Sequence, residues 1–169
     1  SANRLALYKS RYKFRLDPSA MLWEKDACLF THKINGKFAM LTRILPGIQV
    51  IYFNDFSELT DELYWNHYLA NLDQFEIMEP KYVFEHKHIG GGAPPFLTED
   101  GWVMIYHAVE DTPQGNIYHA CAALLDHDDP TKVIGRLDHP LFSPGAFWEQ
   151  KGDVDNVVFP TGTLIKDDI

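Results

Sequence analysis

The sequence has few cysteines, no excess of basic residues and no long apolar run. Its 169 residues include only two cysteines, Cys28 and Cys121, each within a short apolar stretch. This pattern predicts small buried residues rather than a disulfide framework or a paired-cysteine metal site. The formal net charge is −9, so no basic field is present to attract nucleic acid or anionic lipid. No apolar run approaches the roughly 20 residues of a membrane-spanning helix.

Metal-binding and targeting signals are absent as well. The eight histidines form no HExxH pattern, and the acidic tract at 126–130 lacks the glycine and distal glutamate of an EF-hand loop. We therefore expect no structural metal. Residues 1–15 are basic and contain no signal-type apolar segment, so these residues carry no evident targeting signal.

Short apolar runs bounded by turn residues dominate what is present. With 46% hydrophobic and 14% aromatic residues, the chain can bury a core. The pattern predicts an all-β architecture, and residues 57–72, the one helical pattern, are interpreted as an insertion. The predicted strands lie at 28–30, 37–43, 48–53, 102–107 and 157–165.

A weak internal repeat suggests how these strands are organised. A turn followed by an apolar run occurs at Gly36 and again at Gly101, 65 residues later, and a third copy begins at 157. This spacing suits a four-stranded β-propeller blade. We interpret residues 1–169 as about two and a half blades of an incomplete propeller, with blades missing on both sides. The alternative is a chance repeat in a β-sandwich.

The residues at 90–95, Gly-Gly-Gly-Ala-Pro-Pro, combine glycines that allow close backbone approach with prolines that restrict the chain after them. Such a segment can line a pocket with backbone atoms, or it can be an ordinary loop. It lacks the lysine and Ser/Thr of a P-loop, so glycine content alone does not indicate a nucleotide phosphate site.

Four basic side chains stand where a predicted strand meets a loop. They are Lys25, Arg43, His88 and His107. Each alone is more often a solvated or structural residue. Gathered in one cleft of an acidic protein, they would suggest a bound anion such as phosphate. No motif distinguishes a catalytic acid among the candidate carboxylates for glycosidic chemistry, which are Glu110, Asp111, Glu149, Asp153 and Asp155.

Five segments, in the same order, resemble glycoside hydrolase family 130. The resemblance implies a five-bladed β-propeller with a central cleft, in which inorganic phosphate cleaves a β-mannoside with inversion to give α-mannose 1-phosphate. The segments are LFTHKINGKFAMLTR at 29–43, IGGGAPP at 89–95, GWVMIYH at 101–107, AALLDHDDPTKV at 122–133 and NVVFP at 156–160.

The resemblance also implies roles for individual residues. It assigns Lys25, Arg43 and His107 to phosphate binding, and His88 stands where many members have lysine. It makes Gly91 and Gly92 part of the cleft floor. Tyr106 and Asn156 become candidate sugar contacts.

The family's proton-donor aspartate belongs to an Asp-Pro-Arg motif upstream of Lys25. Residues 17–19, Asp-Pro-Ser, lack the arginine and lie too close to Lys25, so the donor stays unassigned. The resemblance implies a β-linked manno-oligosaccharide and phosphate as partners and no cofactor, since phosphate is the co-substrate. Homo-oligomerisation is left open, and a cytoplasmic location is expected. The alternatives are a β-1,2-mannosidase, which would be periplasmic or secreted, and a non-catalytic sugar-binding propeller fragment that is inactive alone.

Overall fold

The computed structural model describes residues 25–44 and 46–166, and within them nine β-strands form two antiparallel sheets. The Asp-Pro-Ser segment at 17–19 and the end of the third repeat at 167–168 lie outside the described residues. No helix in the described part of the chain is long and apolar enough to cross a membrane.

The first sheet has four strands in the order β1-β2-β3-β4. They are β1 (Lys25–Leu29), β2 (Phe38–Arg43), β3 (Ile48–Phe53) and β4 (Glu76–Met78). The register of β1 against β2 pairs Lys25 with Arg43 and then Cys28 with Leu41, so two residues of β1 face one of β2. This is a β-bulge, and such a bulge redirects the side chains it contains.

Three short helices connect β3 to β4, where the sequence predicts a helical insertion over 57–72. They are a 3-10 helix (Phe56–Thr60), α1 (Glu62–Ala70) and a second 3-10 helix (Leu72–Gln74). Asp61 caps α1 by accepting a hydrogen bond from the Leu63 amide at 2.9 Å. The hydroxyls of Tyr68 and Thr42 lie 2.7 Å apart, which fastens α1 to one face of the first sheet.

The second sheet has five strands, with β7 and β8 as its long central hairpin. β5 and β6 pair with different parts of β7, and β9 pairs with β8. The strands are β5 (His88–Gly91), β6 (Phe96–Thr98), β7 (Gly101–Thr112), β8 (Gly115–Leu125) and β9 (Val133–Arg136). A last short helix, α2 (Phe147–Gln150), follows this sheet.

The main core lies between the two sheets. Leu41 and Val50 of the first sheet join Met104 and Cys121 of the second in one cluster, and all four are fully buried. Trp102 closes this core: its indole N–H donates to the His127 carbonyl at 2.9 Å. Packing of one sheet against the next is how propeller blades bury their apolar faces.

The predicted strands match β1, β2, β3 and β7, whereas β4, β5, β6, β8 and β9 have no counterpart among them and one predicted strand is not formed. The apolar pattern does not predict β8, because the centre of this strand is rich in alanine, which has low strand propensity. The strand predicted over 157–165 is not formed: it was wrong for these residues. Val157 makes a single parallel bridge to Tyr118, and residues 158–166 have no regular secondary structure. A strand needs a partner along its length, and among the described residues only this short contact is available.

Candidate anion-binding site

The bulge in β1 places a carboxylate beside a buried arginine. Asp26 has a φ of 58°, a left-handed conformation uncommon for a residue with a side chain. Its Oδ2 lies 3.0 Å from Nε of Arg43, and both side chains are largely buried. A strained backbone conformation of this kind is often found at functional sites.

His107 joins this pair from the second sheet. It lies opposite Gly90 in the ladder between β5 and β7, and it is 1% exposed. Its Nε2 is 3.5 Å from Nη1 of Arg43 and 3.7 Å from Oδ2 of Asp26. Three side chains from β1, β2 and β7 therefore meet at one point between the sheets, and we call Asp26, Arg43 and His107 the anion cluster.

Gly90 leaves the space that the anion cluster occupies. A Cβ added at this position would overlap Oδ2 of Asp26 and would lie 2.5 Å from Cε1 of His107. No residue with a side chain fits there without displacing one of them. Glycine at 90 is therefore required by the cluster.

Gly91 and Gly92 pack against other backbone segments. A Cβ on Gly91 would lie 3.1 Å from the Asp26 carbonyl oxygen, and one on Gly92 would lie 2.7 Å from Cγ of Pro160. Both glycines therefore allow close approach of neighbouring chain segments. Their predicted role in the cleft floor stays a prediction.

His107 of the anion cluster and the neighbouring His88 are held neutral at pH 7. Burial lowers the pKa of His107 to about 3, and the neighbouring positive charge of Arg43 adds to this effect. Burial also lowers the pKa of His88 to about 4, with Arg43 again contributing. The His88 ring lies 6.3 Å from the His107 ring. The site is thus less positive than four basic residues suggest, since Lys25 and Arg43 supply the charge.

Several buried polar atoms of this region have no hydrogen-bond partner within the described residues. They are Oδ2 of Asp26, Nε of Arg43, and Nδ1 of His88 and of His107. Asp26 and Arg43 are within ion-pair distance, but their atoms are not aligned for a hydrogen bond. Buried polar groups are nearly always hydrogen-bonded, so a group of exceptions in one place favours a site for a polar ligand.

The segment after Asn156 adds an aromatic ring to the site. Asn156 has a φ of 59°, and its carbonyl accepts a hydrogen bond from the Tyr118 amide at 2.9 Å. This bend directs the chain so that the Phe159 ring centre lies 4.4 Å from that of His107. Phe159 remains 43% exposed. Asn156 therefore shapes the segment, while Phe159 contacts the anion cluster.

Tyr106 lies on the other face of β7 from His107, because successive strand residues alternate. It is fully buried. Its hydroxyl donates to Oε1 of Glu85 at 2.7 Å, and Nε of Arg136 donates to the hydroxyl at 3.2 Å. Arg136 also pairs with Glu85 at 2.7 Å. These contacts do not support the predicted sugar contact: the tyrosine is part of the buried core between the sheets.

The contacts described for the candidate carboxylates are all with residues outside the anion cluster. Glu110 contacts His119, Asp111 contacts Lys87, Glu149 accepts from the amides of Gly145 and Ala146, Asp155 contacts Lys151, and Asp153 is exposed. None of these positions identifies a catalytic acid. Within residues 25–44 and 46–166, no group of three or more His, Cys, Asp or Glu side chains is arranged to hold a metal ion.

Sequence reasoning missed Asp26, Gly90 as a spacer, and Phe159. Asp26 follows Lys25 directly, and the other two lie inside segments that carry the family resemblance. A signal was thus present in the sequence for each. Their function could not be inferred from it, because the contacts join residues far apart in the chain.

Comparison with known proteins gives the family. A family model described as beta-1,4-mannooligosaccharide phosphorylase, of glycoside hydrolase family 130, matches residues 4–169. The chain belongs to glycoside hydrolase family 130.

Two curated relatives show the extent of the match. The chain is 41% identical over 145 residues to a 1,2-beta-oligomannan phosphorylase of Thermoanaerobacter sp. strain X514, covering 85% of this chain and 44% of the relative. It is 33% identical over 156 residues to a beta-1,4-mannooligosaccharide phosphorylase of Ruminococcus albus, covering 92% of this chain and 45% of the relative. The chain therefore spans less than half the length of these relatives.

Solved structures of the family agree with the fold. A beta-1,2-mannobiose phosphorylase from Listeria innocua, in complex with beta-1,2-mannobiose, matches with a TM-score of 0.67 and 30% identity. The match covers 86% of this chain and 39% of that structure. These family 130 proteins are five-bladed β-propellers, so the chain is all-β and forms part of such a propeller, as predicted. The β-sandwich alternative is excluded.

Proposed function

We propose that this chain provides the phosphate-binding part of the active site of an inverting β-mannoside phosphorylase. The observation that carries this proposal is the meeting of Arg43, His107 and Asp26 between two blades, with buried polar atoms that lack hydrogen-bond partners among the described residues. Lys25 stands directly opposite Arg43 in the ladder, which adds a second positive side chain at the same edge. Phosphorylase names among the relatives support this interpretation.

The proposed chemistry uses these groups to hold phosphate and stabilise its charge. A phosphate oxygen forms a bond to the anomeric carbon of the mannoside while the bond from that carbon to the leaving oxygen breaks. The leaving oxygen takes a proton, and the products are α-mannose 1-phosphate and the shortened sugar. Fixed positive groups in a partly buried site hold phosphate in line for this attack at little cost in reorganisation.

The resemblance places the general acid upstream of Lys25, so the proposal assigns this role to no residue of the anion cluster. The proposal needs phosphate as co-substrate and no cofactor, with a β-linked manno-oligosaccharide as substrate. A cytoplasmic location remains part of the proposal. Homo-oligomerisation plays no part in it.

The test measures both the binding of mannobiose and its conversion to products. After its intact mass is measured, the purified protein is incubated with β-1,2- or β-1,4-mannobiose, with and without phosphate, and products are identified by mass spectrometry. We expect mannose 1-phosphate only when phosphate is present. Free mannose formed without phosphate would indicate the β-1,2-mannosidase alternative, and sugar binding without any product would indicate a non-catalytic propeller.

A matched pair of variants connects this result to the site. Arg43→Met removes the buried cation of the anion cluster, whereas Lys132→Met removes an exposed one that pairs with Asp129. We expect phosphate affinity, measured by calorimetry, to fall by roughly tenfold to 100-fold in Arg43→Met, as loss of a charged hydrogen bond predicts. Lys132→Met should bind phosphate as the unmodified protein does.

A further inference from the structure

The anion cluster contains a negative charge, which a simple anion site would avoid. Asp26 has its Oδ2 fully buried, 3.0 Å from Arg43 and 3.7 Å from His107. The charged and titratable groups around it are Lys25 on its own strand, Arg43 on β2, His107 on β7 and the Cys28 thiol. With His107 held neutral by burial, Asp26 offsets one of the two remaining cations.

Several features of the structure hold Asp26 in this position. The bulge in β1 turns the Asp26 side chain towards the second sheet. This position requires a strained, left-handed backbone conformation at Asp26. Gly90 leaves the space for its Oδ2. Its side chain keeps 15% exposure while Oδ2 has almost none, so the exposed surface belongs to its other atoms. The carboxylate is therefore anchored through one oxygen and accessible elsewhere.

A carboxylate among cations discriminates between anions of the same shape. An ionised carboxylate only accepts hydrogen bonds, so it favours a ligand that carries an O–H group. At neutral pH inorganic phosphate and arsenate each keep at least one O–H, whereas sulfate has none. Facing a carboxylate, sulfate would place oxygens with no proton against a negative charge, and such like-charge contacts are unfavourable.

We propose that Asp26 is a specificity-determining residue, which accepts a hydrogen bond from the O–H of bound phosphate and thereby rejects sulfate. This inference rests on the proposed function, because it requires that the anion cluster binds phosphate. In this role Asp26 contacts the anion directly, whereas a positioning residue would only hold Arg43 in place. A purely structural Asp26 would alter the affinities for phosphate and sulfate by the same factor.

The first experiment needs no variant. Calorimetric titrations of the full 169-residue chain at pH 7.5 measure dissociation constants for inorganic phosphate, arsenate and sulfate. We expect phosphate and arsenate to bind with similar affinity, and sulfate to bind roughly tenfold to 100-fold more weakly, the range that one charged hydrogen bond provides. Similar affinities for phosphate and sulfate would overturn the inference and leave the proposed function intact. Absence of phosphate binding would overturn both.

The second experiment uses Asp26→Asn, with Asp138→Asn as its control. Asp138 is exposed and pairs with the neighbouring His139. An asparagine amide can donate to sulfate, so the ratio of sulfate to phosphate dissociation constants should approach one in Asp26→Asn and stay unchanged in Asp138→Asn. An unchanged ratio in a folded Asp26→Asn protein would refute the inference. If Asp26→Asn does not fold, the anion series on the unmodified protein decides alone.

Discussion

Replacing Gly90 by alanine tests how closely the anion cluster is packed. The added methyl group would overlap Oδ2 of Asp26 and approach Cε1 of His107 to 2.5 Å, where ordinary contacts between such atoms need about 3.5 Å or more. Both neighbours are buried and held by their own strands, so neither can move freely. The cluster must therefore open by about 1 Å, and overpacking of this kind typically costs 1–3 kcal/mol.

The substitution should affect both stability and binding. We expect the free energy of unfolding, measured by urea denaturation, to fall by about 2 kcal/mol. Phosphate affinity, measured by calorimetry, should fall by at least roughly tenfold, because small displacements of positioned groups reduce binding and catalysis strongly.

Gly135→Ala is the matched control. Gly135 also lies in a strand of the second sheet, but a Cβ there would be 3.5 Å from Cβ of Leu124, an ordinary contact. This variant should keep both the stability and the phosphate affinity of the unmodified protein. If Gly90→Ala behaved like Gly135→Ala, the cluster would be looser than the structure shows, and its role as a built anion site would be refuted.

Three further predictions concern the buried polar groups. Tyr106→Phe should lower the free energy of unfolding by about 1–2 kcal/mol in urea without changing phosphate or sugar affinity, and a large loss of sugar affinity would restore the sugar-contact role. Glu85→Gln removes the charge that faces Arg136 and should cost about 3–5 kcal/mol by the same assay; a loss below 1 kcal/mol would contradict a tightly paired site. Because burial lowers the pKa values of His88 and His107 to about 4 and about 3, the unfolded chain binds more protons, and stability should fall as pH drops from about 6.5 towards 3. Melting temperatures measured across this pH range should fall less in His88→Gln than in the unmodified protein. If the melting temperatures of both proteins depended on pH in the same way, His88 would not be a buried neutral histidine.

Parts of the fold follow directly from local sequence patterns. β2, β3 and β7 agree with predicted strands because their apolar runs are bounded by turn residues such as those at Gly36 and Gly101. β8 was missed because alanine gives no strand signal, although its pairing with β7 buries those small residues between the sheets. Its formation is decided by the partner strand rather than by local propensity.

The sequence by itself determined the family, the all-β class and the basic residues at the strand ends, because these depend on residue type and order along the chain. Only the tertiary structure decided which of them meet. Arg43 and His107 are 64 residues apart, and packing of one sheet on the next brings them together. The bulge in β1, rather than the residue type, places the Asp26 side chain beside Arg43 and His107. Strand alternation places Tyr106 on the opposite face of β7, where it is buried. Burial then makes the histidines neutral, because removing water penalises their charged form and no sequence pattern records that cost.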